Sequence, residues 1–229
     1  MGCGCFDSNY ENNPERLNQM VARILDKINK DIVSKYPGAG TTLCFSLVMQ
    51  NSLYMCNIGD SKGFVMKNGH IIYETKTHNV TDCLLHIPDD FGRFHVRSNV
   101  ISHYLGNDAQ DVKSCIFSDI IPMDKNNDYH VVLCSDGLSD CLSNDQIMDT
   151  VNRSSSEHVA RDLVSRALNS RSSFQQELEN SRRKYGIMGK FNFNKLVKVL
   201  RENGMDKDYE KIIMGGKDNT TVVSGVVRR

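Results

Sequence analysis

The chain has 229 residues, enough for one large domain or two small ones and for a sizeable hydrophobic core. Its 28 basic and 28 acidic side chains give a formal net charge of +0, which argues against binding of nucleic acid or anionic lipid through bulk charge. No apolar run approaches the roughly 20 residues of a membrane helix, and the N-terminus lacks the pattern of a secretion signal.

The cysteine content, eight residues, indicates a reducing compartment. Most of the cysteines lie in apolar, strand-like stretches, and none has the C-x-x-C spacing typical of a zinc site. Cys3 and Cys5 alternate with Asp7, as expected for one face of a short strand. We therefore expect reduced thiols that pack as small apolar side chains, and a cytoplasmic protein.

The first predicted element after this short strand is a helix that begins near residue 14. Asn13 can cap it, and Pro14 suits its first turn, where a missing N–H removes no hydrogen bond. Apolar residues then recur at three- and four-residue spacing, which predicts one buried stripe. The stripe comprises Leu17, Met20, Val21, Ile24, Leu25, Ile28 and Ile32. Pro37 and Gly38 are expected to end the helix.

Short strands are predicted to follow the helix. Asn68-Gly69 is a strong signal for a type I′ hairpin, and the neighbouring connections are too short for a crossover, so we expect antiparallel pairing. The stretch from 77 to 99 shows no clean period and is interpreted as loop-rich. The predicted strands cover residues 41–49, 53–58, 63–66, 70–73, 112–117, 130–135 and 220–227.

Helices are predicted again after residue 140. Ser143 with Gln146, and Ser154 with Glu157, match the capping-box pattern. Residues 169–214 are polar and helix-prone, and we interpret them as a helical insertion. Its clearer apolar stripe is formed by Phe193, Leu196, Val197 and Leu200. A helix, then strands, then helices and a last strand are typical of an α+β fold, here a single domain over residues 1–229.

Two of the predicted strands lie next to a carboxylate. The strand that ends at Cys134 is followed by the sequence SDG, which contains Asp136, and the sequence GGKD, which ends in Asp218, precedes the last strand. Together they suggest two strand ends that bring acidic oxygens to one rim. Hard divalent cations such as Mg²⁺ or Mn²⁺ prefer oxygen ligands of this kind.

These segments, with others in the same order, resemble the PP2C family of metal-dependent serine/threonine phosphatases. The matching stretches read GTTL at 40–43, NIGDSKG at 57–63, NVISHYLG at 99–106, SDGLSD at 135–140 and GKDNTT at 216–221. Each stretch alone has modest specificity. The ordered set is more specific, and it covers nearly the whole chain from Gly40 onward.

The resemblance implies a four-layer α-β-β-α sandwich, in which helices flank two antiparallel sheets. It also implies hydrolysis of phosphoserine or phosphothreonine in proteins by a water that two Mg²⁺ or Mn²⁺ ions activate, so that no side chain acts as nucleophile. Asp136 and Asp218 fall on family metal ligands, and Asp7 with the carbonyl of Ser8 falls on a further pair. The implied partner is a phosphorylated protein or a regulatory protein.

Several departures from the family pattern favour an alternative. Ser8 stands where the family has a glycine, and Thr77 stands where bacterial members have an aspartate associated with a third metal. The family usually begins one strand earlier, with an arginine that binds phosphate and an acidic metal ligand. The alternative is a catalytically degraded pseudophosphatase that acts as a binding or regulatory module. A domain excerpt, or a scaffold whose helical insertion recruits a partner, also remains open.

Other polar residues in these stretches have simpler interpretations. Asp60 is expected to be a turn residue, and Lys62 a charge that flanks the same turn. Asp140 could accept a metal-bound water or serve as a cap or turn residue. His78 and His103 are interpreted as surface residues or part of the flap that the family carries in this region. For Asp7, metal binding and a structural role remain equally open.

Overall fold

In a computed structural model of the protein, the described residues are 13–78, 83–87, 92–96, 101–170 and 219–228. The chain forms two compact units. The first comprises Met1–His78, Ile101–Cys134 and Val223–Arg229, and the second comprises Asn79–Val100 and Ser135–Val222. The prediction of a single domain over the whole chain stays a prediction, and each unit is described by itself.

Helix α1, Pro14–Lys35, begins where the sequence predicts. The Asn13 side chain accepts a hydrogen bond from the Arg16 N–H at 3.0 Å, and the helix ends at Tyr36, before the predicted Pro37-Gly38 stop. The buried stripe is narrower than predicted, because Ile24 and Ile28 are 50% and 40% exposed. The buried positions of α1 are Leu17, Val21, Ala22, Leu25 and Asn29.

Helix α1 packs on a three-stranded antiparallel sheet in the order β1-β2-β7. Its strands are β1 Leu43–Val48, β2 Ser52–Ile58 and β7 Phe117–Pro122. Successive side chains of a strand point to opposite faces. Accordingly, Tyr54 and Cys56 lie in the cluster with α1, while Leu53 and Met55 lie in a second cluster. Both faces of β2 are covered, which explains why every residue of β2 is buried.

The second sheet has four strands in the order β4-β3-β8-β9. They are β3 Lys62–Lys67, β4 His70–Glu74, β8 Tyr129–Cys134 and β9 Val222–Val227. The predicted type I′ hairpin is confirmed, because Asn68 and Gly69 have φ angles of 50° and 80° between β3 and β4. Val65 and Val131 of this sheet meet Leu53 of the first sheet in the shared core. The expected α+β sandwich with two antiparallel sheets is thus confirmed.

The second unit contains a strand pair and three helices. Strands β5 Cys83–Ile87 and β6 Gly92–Val96 pair antiparallel, so the interpretation of 77–99 as loop-rich is wrong for these residues. Strand β5, CLLHI, has no polar-apolar alternation, and the alternation of β6, GRFHV, extends over only five residues. The helices are α2 Asp136–Ser139, α3 Asn144–Arg153 and α4 Val159–Leu168. In the described part of the chain no helix is long and apolar enough to span a membrane.

One of the two predicted capping boxes is confirmed and the other is wrong. Ser143 and Gln146 form a reciprocal capping box at the start of α3. Ser154 instead lies at the end of α3, where its hydroxyl donates to the Asp162 carboxylate at 2.8 Å. Helix α4 begins later, after His158. The predicted insertion lies outside the described residues from 171 onward, and so does its apolar stripe.

The strand predicted at 112–117 is also wrong at its start. Residues Val112–Cys115 form a 3-10 helix, and β7 begins only at Phe117. The Asp111 carboxylate accepts a hydrogen bond from the Lys113 N–H at 3.1 Å, and the Asp111 carbonyl accepts one from the Ser114 N–H at 3.0 Å. These local bonds favour a turn over an extended strand.

Candidate active site

Asp136 lies directly after strand β8, as the sequence predicts. It is the first residue of the short helix α2, and Ser135 before it has an extended backbone. One carboxylate oxygen, Oδ1, accepts a hydrogen bond from the Gly137 N–H at 2.8 Å. The Asp136 carbonyl accepts a second bond from the Asp140 N–H, also at 2.8 Å. The backbone and the side chain of Asp136 are therefore both held in place.

The segment before β9 is bonded to the residues around Asp136. The Ser135 N–H donates to the Thr221 carbonyl at 3.1 Å, and the Thr221 N–H donates to the Ser135 hydroxyl at 3.1 Å. The Ser135 hydroxyl donates to the Asn219 carbonyl at 3.2 Å, and the Thr220 hydroxyl donates to the Gly137 carbonyl at 3.2 Å. Residues 135–137 and 219–221 are thus joined directly, although they lie far apart in the sequence.

Three of the four predicted metal ligands, Asp7, Ser8 and Asp218, lie outside the described residues. Within the described ranges no group of three or more His, Cys, Asp and Glu side chains could hold a metal ion. Asn219 is described, and it follows Asp218 in the chain. Since Asn219 is bonded to Ser135, its position supports the expectation that Asp136 and Asp218 converge, which stays a prediction.

The turn at residues 57–61 is a tight bend between strands, as expected for Asp60. Gly59 has a φ of 101°, and a Cβ there would stand 2.4 Å from Thr42 Cγ2, so only glycine fits. The buried Asn57 amide donates to the carbonyls of Gly59 at 3.0 Å and Lys76 at 2.8 Å. The turn is fixed by these local bonds. Asp60 lies in this bend and is half-buried, in agreement with its interpretation as a turn residue.

Lys62 is more than a charge beside that turn. It is the first residue of β3 and only 7% exposed, and its ammonium group contacts the Glu74 carboxylate at 2.6 Å. Lys62 does flank the turn, as expected, but its charge is buried and paired. A buried lysine needs a partner for its charge, and β4 supplies it because Glu74 lies in the strand that pairs with β3.

His78 is buried, so its interpretation as a surface or flap residue is wrong. Its side chain is only 4% exposed, and its ring stacks on Phe117 with the ring centroids 4.1 Å apart. The ring of His103, which is half-buried, lies 5.0 Å away, centroid to centroid. Sequence reasoning missed this cluster because Phe117 and His103 come from distant parts of the chain.

The residues around Asp136 can be compared with known proteins. The family model of protein phosphatase 2C matches residues 91–175, a range that contains β8 residues 129–134, Asp136 and helices α2 to α4. Serine/threonine phosphatase stp of Listeria monocytogenes is 26% identical over 137 residues, 56% of this chain. Serine/threonine protein phosphatase PstP of Mycobacterium tuberculosis is 26% identical over 135 residues, 57% of this chain. Over these residues the chain is similar to PP2C phosphatases.

Solved structures of serine/threonine phosphatases have a similar fold. The S. agalactiae serine/threonine phosphatase aligns with a TM-score of 0.54 and 14% identity, and the alignment covers 93% of this chain and 72% of that one. The Mycobacterium tuberculosis phosphatase PstP/Ppp aligns with a TM-score of 0.50 and 20% identity, covering 90% of this chain and 68% of that one. The shared features are the two antiparallel sheets and their helices.

The PP2C relatives are longer than the matched region. The match spans 52% of the length of the Listeria monocytogenes phosphatase and 25% of the length of the Mycobacterium tuberculosis PstP. PP2C phosphatases use metal ions, and the position of Asp136 after a central strand suits an oxygen ligand for such an ion. The activity of this chain is therefore a matter for proposal and experiment.

Proposed function

We propose that the chain is a metal-dependent phosphatase that hydrolyses phosphoserine or phosphothreonine in proteins. One observation carries the proposal: the hydrogen bonds that join residues 135–137 to residues 219–221. They bind the SDG turn, which contains Asp136, to the residue that follows Asp218. Two carboxylates from separate strands need such a connection in order to share a cation, and this supports the proposal. The names of the Listeria monocytogenes and Mycobacterium tuberculosis relatives, both serine/threonine phosphatases, support the same reaction.

The proposed cofactor is Mg²⁺ or Mn²⁺, with two ions bound. Asp136 and Asp218 would hold the metal, and Asp7 with the carbonyl of Ser8 would add further oxygens. Asp136 fits this role, because its carboxylate is positioned by the Gly137 N–H at 2.8 Å and carries hard oxygen donors. A bound divalent cation would supply a Lewis acid and a lowered water pKa. We expect the Asp136 and Asp218 oxygens to lie on the order of 3–6 Å apart.

The residues near Asp136 would fix the ligand geometry. The Gly137 N–H holds one carboxylate oxygen, and the Thr220 hydroxyl holds the Gly137 carbonyl at 3.2 Å. The Asp140 N–H holds the Asp136 carbonyl. These groups position Asp136 and need not touch the substrate. A ligand held in this way loses little entropy when a cation binds, which favours metal affinity.

The rival proposal is a pseudophosphatase that keeps the fold and serves as a binding or regulatory module. The sequence favours it at two positions, since Ser8 replaces a glycine and Thr77 replaces an aspartate of the family pattern. The two proposals differ in metal binding. An enzyme should bind Mn²⁺ at two sites, whereas a degraded site should bind Mn²⁺ weakly or at one site.

The test is Mn²⁺-dependent hydrolysis of a phosphothreonine peptide by the full chain, with Mn²⁺ binding measured by calorimetry on the same sample. We expect hydrolysis that requires Mn²⁺ and falls by at least about 100-fold in Asp136→Asn, because the variant removes an anionic ligand. Asp145→Asn is the matched control. It removes the same charge from an exposed position on α3, and we expect wild-type activity.

Two results would overturn the proposal in different ways. A wild-type rate for Asp136→Asn at saturating Mn²⁺ would exclude Asp136 as an essential ligand. No hydrolysis by the wild-type chain, together with Mn²⁺ bound weakly or at one site, would establish the pseudophosphatase. Circular dichroism of both variants would show that lost activity does not reflect lost fold.

A further inference from the structure

Two separate stretches of the first unit meet at His78. The His78 carbonyl accepts a hydrogen bond from the Ser102 N–H at 2.7 Å and a second from the Ser102 hydroxyl at 2.9 Å. The chain between them, residues 79–100, leaves the first unit after His78 and re-enters it at Ile101. His78 and Ser102 therefore join the point of departure to the point of return.

The His78 side chain is bonded to a third part of the chain, the turn at Gly59. Its Nδ1 accepts a hydrogen bond from the Gly59 N–H at 3.1 Å, and the His78 N–H donates to the Gly59 carbonyl at 2.9 Å. Because Nδ1 accepts, the single ring proton of a neutral His78 lies on Nε2. The buried Nε2 has no hydrogen-bond partner among the described residues. Nδ1 also lies 3.4 Å from the Gly59 carbonyl, so the ring is held by the backbone of Gly59 and by its stacking on Phe117.

Ser102 is in turn bonded to groups that follow it in the chain. The Ser102 hydroxyl lies 2.8 Å from Nδ1 of His103, and the Gln110 amide donates to the Ser102 carbonyl at 2.6 Å. The titratable groups near His78 include His103, Lys76, whose ammonium group lies 6.0 Å from the Phe117 ring centroid, and Asp60, which follows Gly59 in the chain. His103 opposes a positive charge on His78, whereas the Asp60 carboxylate would favour it.

We propose that His78 is a proton-sensitive latch that joins the turn at Gly59 to Ser102, and that uptake of a proton releases both bonds. A proton on Nδ1 removes the acceptor for the Gly59 N–H at 3.1 Å and leaves in exchange only the longer contact of 3.4 Å to the Gly59 carbonyl. It also places a charge in a site that is 4% exposed and stacked on an aromatic ring. The charged ring can be hydrated only if it leaves its buried site. This movement also pulls the His78 carbonyl away from Ser102, so the second bond is lost as well. The latch is independent of the proposed phosphatase activity.

The pH range follows from the direction of the pKa shift. Burial lowers the pKa of His78 below its ordinary value, the backbone of Gly59 opposes this in part, and His103 lowers the pKa further. The open form therefore binds a proton at a higher pH than the closed form. The latch is fully closed above the ordinary histidine pKa of about 6.5 and weakens as the pH falls below it.

The experiment is residue-resolved amide hydrogen exchange of the full chain at pH 7.5 and 5.5, corrected for the intrinsic exchange rate. We expect protection of the Gly59 and Ser102 amides to fall by up to about tenfold at pH 5.5, one unit below the ordinary pKa. The buried Leu25 amide in α1 should keep its protection. Unchanged protection at Gly59 and Ser102, or an equal loss at Leu25, would overturn the proposal.

Two variants separate His78 from other titrating groups. In His78→Asn the side-chain oxygen can replace Nδ1 as the acceptor but cannot titrate, so the acid loss of protection should disappear. His70→Asn is the matched control, because His70 is an exposed histidine whose Nδ1 lies 2.9 Å from the Asn68 carbonyl of its own turn. It should keep the wild-type response. An acid response that persists in His78→Asn would assign the effect to another group and overturn the proposal; if this variant does not fold, the wild-type comparison decides alone.

Discussion

Gly137 lies directly against the main chain of Asn219. A Cβ at position 137 would stand 2.8 Å from the Asn219 carbonyl oxygen and 3.0 Å from the Thr220 hydroxyl. Real Cβ atoms do not approach a backbone oxygen so closely, so a side chain at 137 must push the 219–221 segment away. Only glycine at position 137 therefore allows residues 135–137 and 219–221 to approach so closely.

The first prediction is that Gly137→Ala lowers the free energy of unfolding by about 1–3 kcal/mol, the usual cost of overpacking. If the proposed metal site is right, Mn²⁺ affinity should fall as well, because residue 218 moves with Asn219. Thermal unfolding and calorimetry measure the two effects. Gly225→Ala is the control, since a Cβ there has no heavy atom within 4 Å. Equal stability of the two variants would contradict the prediction.

The second prediction concerns the buried ion pair of Lys62 and Glu74. Their side chains are 9% and 30% exposed, so the loss of one partner leaves a poorly solvated charge. Lys62→Met should lower the free energy of unfolding by about 1–3 kcal/mol. Glu74→Gln introduced into Lys62→Met should restore part of that loss, because the uncompensated carboxylate is gone. A urea-unfolding double-mutant cycle with purely additive effects would show that the pair contributes no coupling.

The third prediction concerns thiol reactivity. Burial raises the pKa of Cys44 and of Cys56 to about 12. At pH 8 almost none of either thiol is therefore ionised, and only the thiolate reacts with iodoacetamide. We expect no alkylation of Cys44 and Cys56 in the native protein and full alkylation in urea, as mapped by peptide mass spectrometry. Rapid native alkylation of either cysteine would contradict the burial of these strands.

The fourth prediction concerns the start of helix α3. Ser143 caps the helix through the Gln146 N–H at 3.3 Å, and the Gln146 side chain returns a bond to the Ser143 N–H at 2.9 Å. Ser143→Ala should lower the free energy of unfolding by about 1 kcal/mol. Ser165→Ala, on the exposed side of α4, should be neutral or slightly stabilising. The melting temperatures of the two variants test this prediction. Equal melting temperatures would contradict a stabilising role of the cap.

The sequence predicts those elements that local signals determine. The cap at Asn13, the turn at Asn68-Gly69 and the box at Ser143 each depend on residues within four positions of one another, so each could be read without knowledge of the fold. The 3-10 helix at Val112–Cys115 was missed although its signal is local, because apolar residues favoured a strand while the Asp111 side chain favoured a turn.

Features that depend on distant contacts could not be predicted in the same way. The burial of His78 requires Phe117 and Gly59, and the burial of Lys62 requires Glu74 from a paired strand. The connection between Asp136 and the segment after Asp218 was expected from strand-end carboxylates and from the resemblance to PP2C proteins. Spacing alone could not have chosen these two carboxylates from the 28 acidic residues of the chain.

The bond between His78 and Ser102 also bears on how this chain can vary. The Ser102 nitrogen lies 2.7 Å from the His78 carbonyl oxygen, so the intervening residues 79–100 begin and end at one point. A stretch whose two ends coincide can be shortened, extended or exchanged without shifting the strands on either side, and the entropy of closing it changes only slowly with its length. We expect insertions and deletions among homologues to accumulate there. A chimaera with the corresponding stretch of a relative should keep the register of β3 against β8.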